Sequence, residues 1–175
     1  YPGRNADEPA HTPDFTSARE SINNAACDGR PLVIAFGPDT ATCAALEEEL
    51  RALAWSPEFV GRVHWDFTSE DAFRTLVPDA PQSESGILIV QPEPFGRSAT
   101  VIGTLDADAS LADQHEALQA AMDTFESSFT KLPYEAHVEE GHDRGVRWEE
   151  AIRMGDRPMN DERRRRGRDN RRSNR

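Results

Sequence analysis

Hydrophobic positions in this chain fall in short runs separated by turn-forming residues. Leu32 to Phe36 (LVIAF) is an unbroken apolar run between Asp28-Gly29-Arg30-Pro31 and Gly37-Pro38-Asp39, the pattern of a strand buried on both faces. Before it, Phe15 to Cys27 reads as a short helix with Ile22, Ala25 and Ala26 on its apolar side. After it, Leu46, Leu50 and Leu53 recur at helical spacing, which predicts a helix over Thr42–Ala54. Trp55-Ser56-Pro57 ends that helix, because the residue before proline disfavours the helical region.

The second half continues the alternation. Phe59–Phe67 contains a strand, placed at Arg62–Asp66, and Ser69-Glu70-Asp71 caps a helix carrying Ala72, Phe73 and Leu76. Ile87–Val90 is a buried strand, Pro92–Arg97 a turn and Ala99–Leu105 a second strand, together an antiparallel hairpin. Asp108 or Ser110 then caps a helix to Phe125, with Leu111, His115, Leu118, Met122 and Phe125 on one face. The order α-β-α-β-α-β-β-α predicts an α/β domain whose early strands are parallel and whose hairpin adds an antiparallel edge.

Outside residues 15–128 the pattern fades. Residues 1–14 are polar and Pro-rich, a flexible leader. Residues 129–160 form a polar extension with one helix-like stretch, Val146–Met154, whose Trp148 and Ile152 are placed to pack or to dock a partner helix. Residues 161–175 lack apolar side chains and read as a disordered basic tail.

Charge sharpens this division. The net charge of −12 joins an acidic body to a terminal segment, residues 161–175, with eight Arg and three acidic residues. Such a body repels nucleic acid and anionic membrane, while Arg163, Arg164, Arg165, Arg166 and Arg168 supply a polyanion-binding patch. That patch lacks interleaved aromatic residues, so its binding is expected to tolerate any base sequence and to collapse with salt. No apolar stretch approaches the roughly 20 residues of a membrane-spanning helix. The chain begins at Tyr1 rather than Met, which points to export after removal of a leader, with the cytoplasm as the alternative.

The chemistry concentrates at one position. Cys43 opens a helix at the carboxyl end of the first core strand, where backbone amides and the helix dipole favour a thiolate. The other thiol, Cys27, precedes that strand. Six extended residues span about 20 Å, far beyond the roughly 7 Å Cα limit for a disulfide, so the two do not pair within one fold.

This arrangement resembles the thioredoxin superfamily over residues 17–127. The likeness rests on Pro31–Phe36 before the active-site turn, on Val63-His64-Trp65-Asp66 in the next strand, and on Gly86–Leu105 as the terminal hairpin. It implies a three-layer sandwich around a mixed sheet, with a final helix. It also implies a surface for extended peptides formed by Gly37, Pro38, Asp39 and Thr42, by Ser85 and Gly86, and by the Gly103–Asp106 turn. The family's reaction needs Cys-x-x-Cys, one thiolate attacking a disulfide and a second thiol resolving the mixed product. Here the motif is Thr40-Ala41-Thr42-Cys43, with Thr40 at the attacking position. The family's buried Asp is replaced by Ala35, and its cis-proline by Ser85. These departures imply a domain that keeps the fold, has lost dithiol exchange, needs no cofactor or metal, and binds a protein or peptide.

The rival reading is enzymatic. Thr40-x-x-Cys43 is also similar to the Thr-x-x-Cys of peroxiredoxins, in which a Thr hydroxyl and an Arg orient a peroxide against one cysteine. There a proline lies four residues before the threonine, whereas Pro38 lies two before Thr40. His137, Glu139, Glu140, His142 and Asp143 collect metal-type ligands in a segment read as a solvated loop. His64 and His115 are read as structural or surface residues.

Overall fold

The computed structural model describes Thr12, Phe15, residues 17–69 and residues 71–146. Its centre is a four-stranded mixed sheet in the order β2-β1-β3-β4, with β1 at Leu32–Phe36, β2 at His64–Thr68, β3 at Gly86–Pro92 and β4 at Ala99–Leu105. β1 and β2 run parallel, with Leu32 opposite His64 and Phe36 opposite Thr68. β3 is antiparallel to both β1 and β4. The hairpin therefore contributes an interior strand as well as an edge, and a bulge at Ile89/Val90 shifts its register.

Two strands buried on both faces divide the core into two layers. Val33, Ala35, Ile87 and Ile89 face one side with Leu46, Leu50 and Leu53 of α2 (Thr40–Ala54) and Leu118, Ala121 and Met122 of α3 (Leu111–Ser128). The alternate residues Leu32, Ile34, Phe36, Leu88 and Val90 face the other side, with Ala18, Ile22 and Ala25 of α1 (Ala18–Asp28) and Phe73 of a 3-10 helix (Asp71–Thr75). This follows from the period of two along a strand, which makes an unbroken apolar run a two-sided core element.

Caps decide where the helices begin. Ser17 accepts a hydrogen bond from Glu20 N at 3.3 Å and starts α1 three residues after Phe15. The α1 terminus closes with Gly29 at φ 65° and with bonds from Gly29 N to Ala26 O and Arg30 N to Ala25 O, a Schellman arrangement. Asp39 caps α2, so Thr40 and Thr42 lie in its first turn, two residues earlier than the apolar spacing indicates. Ser110 caps α3.

Several expectations are corrected. The second strand is displaced by two residues from Arg62–Asp66, because Val63 and Phe59 fill the core from a turn region rather than from a ladder. The helix expected after Ser69 is a five-residue 3-10 turn. Leu111 is 54% exposed, outside the core face of α3. The polar stretch around His137 is not a loop but α4 (Tyr134–Asp143), which buries His137 and Gly141. Thr12, within the stretch read as a flexible leader, is 3% exposed. The Val146–Met154 helix and the tail arginines 163–166 and 168 lie outside the described residues, Val146 excepted. Among the described residues no helix is long and apolar enough to cross a membrane.

Candidate functional site

At the carboxyl end of β1 the chain must turn from the sheet into α2 within three residues. Gly37 N donates to Thr68 O at 3.3 Å and extends the β1–β2 ladder by one residue. A Cβ at Gly37 would lie 2.6 Å from Thr42 Cγ2 and 2.9 Å from Thr42 Cβ, so only glycine lets the first turn of α2 fold back this closely. Asp39 then caps the helix: its Oδ1 accepts from Thr42 N at 2.8 Å and from Thr42 Oγ1 at 2.9 Å. These two bonds from Thr42, backbone first, hold the Asp39 carboxyl below the usual aspartate range.

This geometry bears directly on Cys43. Its amide donates to Asp39 O at 3.2 Å, and the residue is 6% exposed. The positive end of α2, which favours a thiolate in redox folds, here faces a carboxylate. Thr40 is exposed while Cys43 is buried, so the two do not present a common face to solvent. Neither cysteine forms a disulfide.

The open space lies beside the thiol rather than over it. A cleft of about 430 Å³ has Phe36 and Phe73 at its base, with Gly37–Pro38, Thr68–Ser69 and Gln82–Glu84 around it. Of the residues expected to face a ligand, Gly37 and Pro38 line this cleft, whereas Asp39, Thr40, Thr42, Cys43, Ser85 and Gly86 do not. Ser85 is half-buried, and Gly86 is not in a loop but starts β3, packed against the Phe36 ring.

Arg74 shapes the cleft. Its Nε donates to Asp71 Oδ1 at 3.0 Å, Nη2 to Ser83 O at 2.7 Å and Nη1 to Pro81 O. The guanidinium also lies over the Phe36 and Phe73 rings, 5.1 and 4.8 Å from their centroids. A planar cation with a fork of donors suits this task, joining two main-chain carbonyls and two aromatic faces at once. No motif marks Arg74 in the sequence. A single arginine next to a buried phenylalanine was the only available signal.

Outside this region, α4 is fastened through His137. Its Nε2 lies 3.6 Å from Cys27 Sγ, and its ring stacks on Phe95 at 5.7 Å. Arg144 lies over Phe95 at 4.7 Å, and Lys131 Nζ donates to Asp28 O at 3.0 Å. Burial pushes the Cys27 thiol up, with Asp28 adding and Lys131 opposing. His64, half-buried, meets Asp28 Oδ2 at 2.8 Å, and His115 meets Glu58 Oε2 at 3.0 Å. Asp66, a carboxylate 2% exposed, accepts from Ser21 Oγ at 2.9 Å. Among the described residues no three His, Cys, Asp or Glu side chains converge as metal ligands.

His137, buried, and His64, half-buried, set a pH response. Desolvation pulls both His137 and His64 below the ordinary histidine value; Glu93 opposes it and Lys131 adds to it at His137, and Asp28 opposes it at His64. An unfolded chain then binds these protons more readily than the folded one. Their contribution to stability is complete above about pH 6.5 and declines as pH falls through that value. Thermal melting between pH 7.5 and 5.5 should show a falling midpoint, with a shallower slope in His137→Gln. Equal slopes in the two proteins would exclude His137 as a source.

No family model matches the chain, and no solved structure matches it. In sequence it is 31% identical over 94 residues to a coiled-coil domain-containing protein 22 homolog from Culex quinquefasciatus. The alignment takes in 52% of this chain and 16% of that protein, so the chain spans less than a fifth of the relative it matches.

Proposed function

We propose that this chain is a thioredoxin-like domain that does not perform dithiol exchange and that binds an extended peptide across the carboxyl end of its sheet. The strand order, the parallel β1–β2 pair, the terminal hairpin and the helices on both faces support the fold reading. One observation carries the functional reading. Cys43 is buried behind a helix start already capped by Asp39, while an open cleft lies beside it. An open groove beside a strand end can take an extended peptide, whose own backbone supplies regular donors and acceptors.

The test has two arms. In the Cys27→Ser protein, iodoacetamide should modify Cys43 at a rate that follows added denaturant, as a buried thiol does. Rapid native-state alkylation with peroxide consumption, both lost in Cys43→Ser, would replace this reading with a single-cysteine redox enzyme using Thr40 and Cys43. In the second arm, a displayed library of linear peptides is panned on the folded chain. Enriched peptides should bind the parent and fail on Ser83→Trp, which fills the cleft. Equal binding to both would move the peptide site elsewhere.

A further inference from the structure

A second groove, of about 500 Å³, lies on the other side of the Pro81–Ser83 segment. It shares Phe36 and Ser83 with the cleft described above, so the two are neighbours. Its composition is distinct. Phe36, Leu88 and Leu105 supply an apolar floor, and Asp106, Asp108 and Asp113 supply three carboxylates. Asp113 is committed to the α3 cap, accepting from Ser110 Oγ at 2.6 Å. That contact sets a negative charge against the positive end of α3. The side chains of Asp106 and Asp108 have no hydrogen bond or ion pair among the described residues. The acidic face of α2 differs, since its Glu48 already meets Arg51.

We infer that this groove is the intramolecular docking site of the chain's own basic segment, Arg163–Arg168. The inference rests on the peptide-binding reading and names the peptide chemistry: an extended run of guanidinium groups. Charge complementarity is the first argument. The segment carries Arg163, Arg164, Arg165, Arg166 and Arg168, whereas the rest of the chain is strongly acidic. Each guanidinium matches a carboxylate with two parallel donors.

Reach is the second argument. Sixteen residues, 147–162, lie between Val146 and Arg163, a length of chain that spans at most about 55 Å. A domain of this size is on the order of 35–40 Å across, so the groove is accessible from the end of α4. Because the segment belongs to the same chain, its encounter with the groove is intramolecular, which favours contacts that would be weak between separate molecules. The docked segment would block the shared surface and compete with an incoming peptide.

The experiment uses full-length chains: the parent, a variant with Arg163, Arg164, Arg165, Arg166 and Arg168 all replaced by Ser, and an Asp106→Asn/Asp108→Asn variant. Backbone amide spectra are recorded while salt rises from about 20 mM to about 500 mM, which shortens the screening length from roughly 20 Å to 4 Å. In the parent, amides of Thr104–Ala109 and Gln82–Ser85 should shift with salt. The same amides should stay still in the five-Ser variant and move less in the Asn variant. A peptide selected on the cleft should bind the five-Ser variant about tenfold more tightly than the parent at low salt. Identical salt responses in the parent and the five-Ser variant would overturn the inference, as would shifts confined to Glu47–Glu49. Shifts that grow with protein concentration would overturn it in favour of docking between copies. Selected peptides that bind the parent and the five-Ser variant equally would sink the docking while leaving the peptide-binding reading standing. If no peptide binds any variant, that reading fails by itself, and the salt-dependent amides still report whether the tail docks.

Discussion

Phe73→Ala is expected to remove about 3–5 kcal/mol of folding stability, the range for deleting a fully buried aromatic ring. Phe73 is 1% exposed and is the main apolar group that the 3-10 turn contributes beneath α1. Its ring meets Phe36 at 5.1 Å and carries Arg74 on its other contacts at 4.8 Å. Truncation therefore opens a cavity and loosens the strut that holds Pro81 and Ser83. Urea unfolding should show a lower midpoint with an unchanged slope, the mark of lost stability without a change in the unfolded state. Phe73→Leu separates packing from the strut: it should retain most of the stability but lose affinity for a cleft-selected peptide. A Phe73→Leu protein that binds as well as the parent would show that Arg74 needs no aromatic support.

Gly96→Ala is expected to be nearly as damaging, by a different route. Gly96 sits in the turn between β3 and β4 at φ +64°, and an added Cβ would lie 2.5 Å from Asn23 Cα and 3.2 Å from Asn23 N. These are backbone atoms of α1, so no side chain can rotate away. Positive φ costs alanine about 1 kcal/mol, and the overlap forces the hairpin turn and α1 apart for a further 1–3 kcal/mol. Gly61 provides the control, because it has φ +71° with nothing within 4 Å of an added Cβ. Gly61→Ala should show only the conformational cost. If both substitutions shift the melting midpoint equally, close approach of α1 to the turn is not what fixes Gly96.

The elements with strong apolar periodicity were legible in the sequence, and those held by polar contacts were not. β1 and the hairpin announced themselves because Leu32–Phe36 and Ile87–Val90 are buried on both faces. α3 followed from Leu118, Met122 and Phe125 at helical spacing. β2 was misplaced because Phe59 and Val63 look like strand residues yet reach the core from a turn. α4 was read as loop because it buries only His137 and Gly141 and is fixed by a ring stack, a thiol contact and a cation over Phe95. None of those leaves a hydrophobic period. Gly37 and Pro38, named from the chain alone, line the cleft, but the work of Arg74 depends on Pro81 and Ser83 being brought opposite it. The burial of Cys43 depends on where its helix begins. Starting α2 at Asp39 rather than later carries the thiol past the exposed first turn and into the core.

The Asp39 cap also constrains how this surface could change over generations. Thr40→Cys would rebuild a Cys-x-x-Cys motif with one substitution, yet the new thiol would stand next to a carboxylate held ionised by Thr42. A neighbouring negative charge opposes thiolate formation, so the nucleophile would arrive unactivated. Removing Asp39 first would strip α2 of its N-terminal cap. Each order of the two steps passes through an intermediate with no gain, which makes the thiol-poor form of this helix start hard to leave by single mutations.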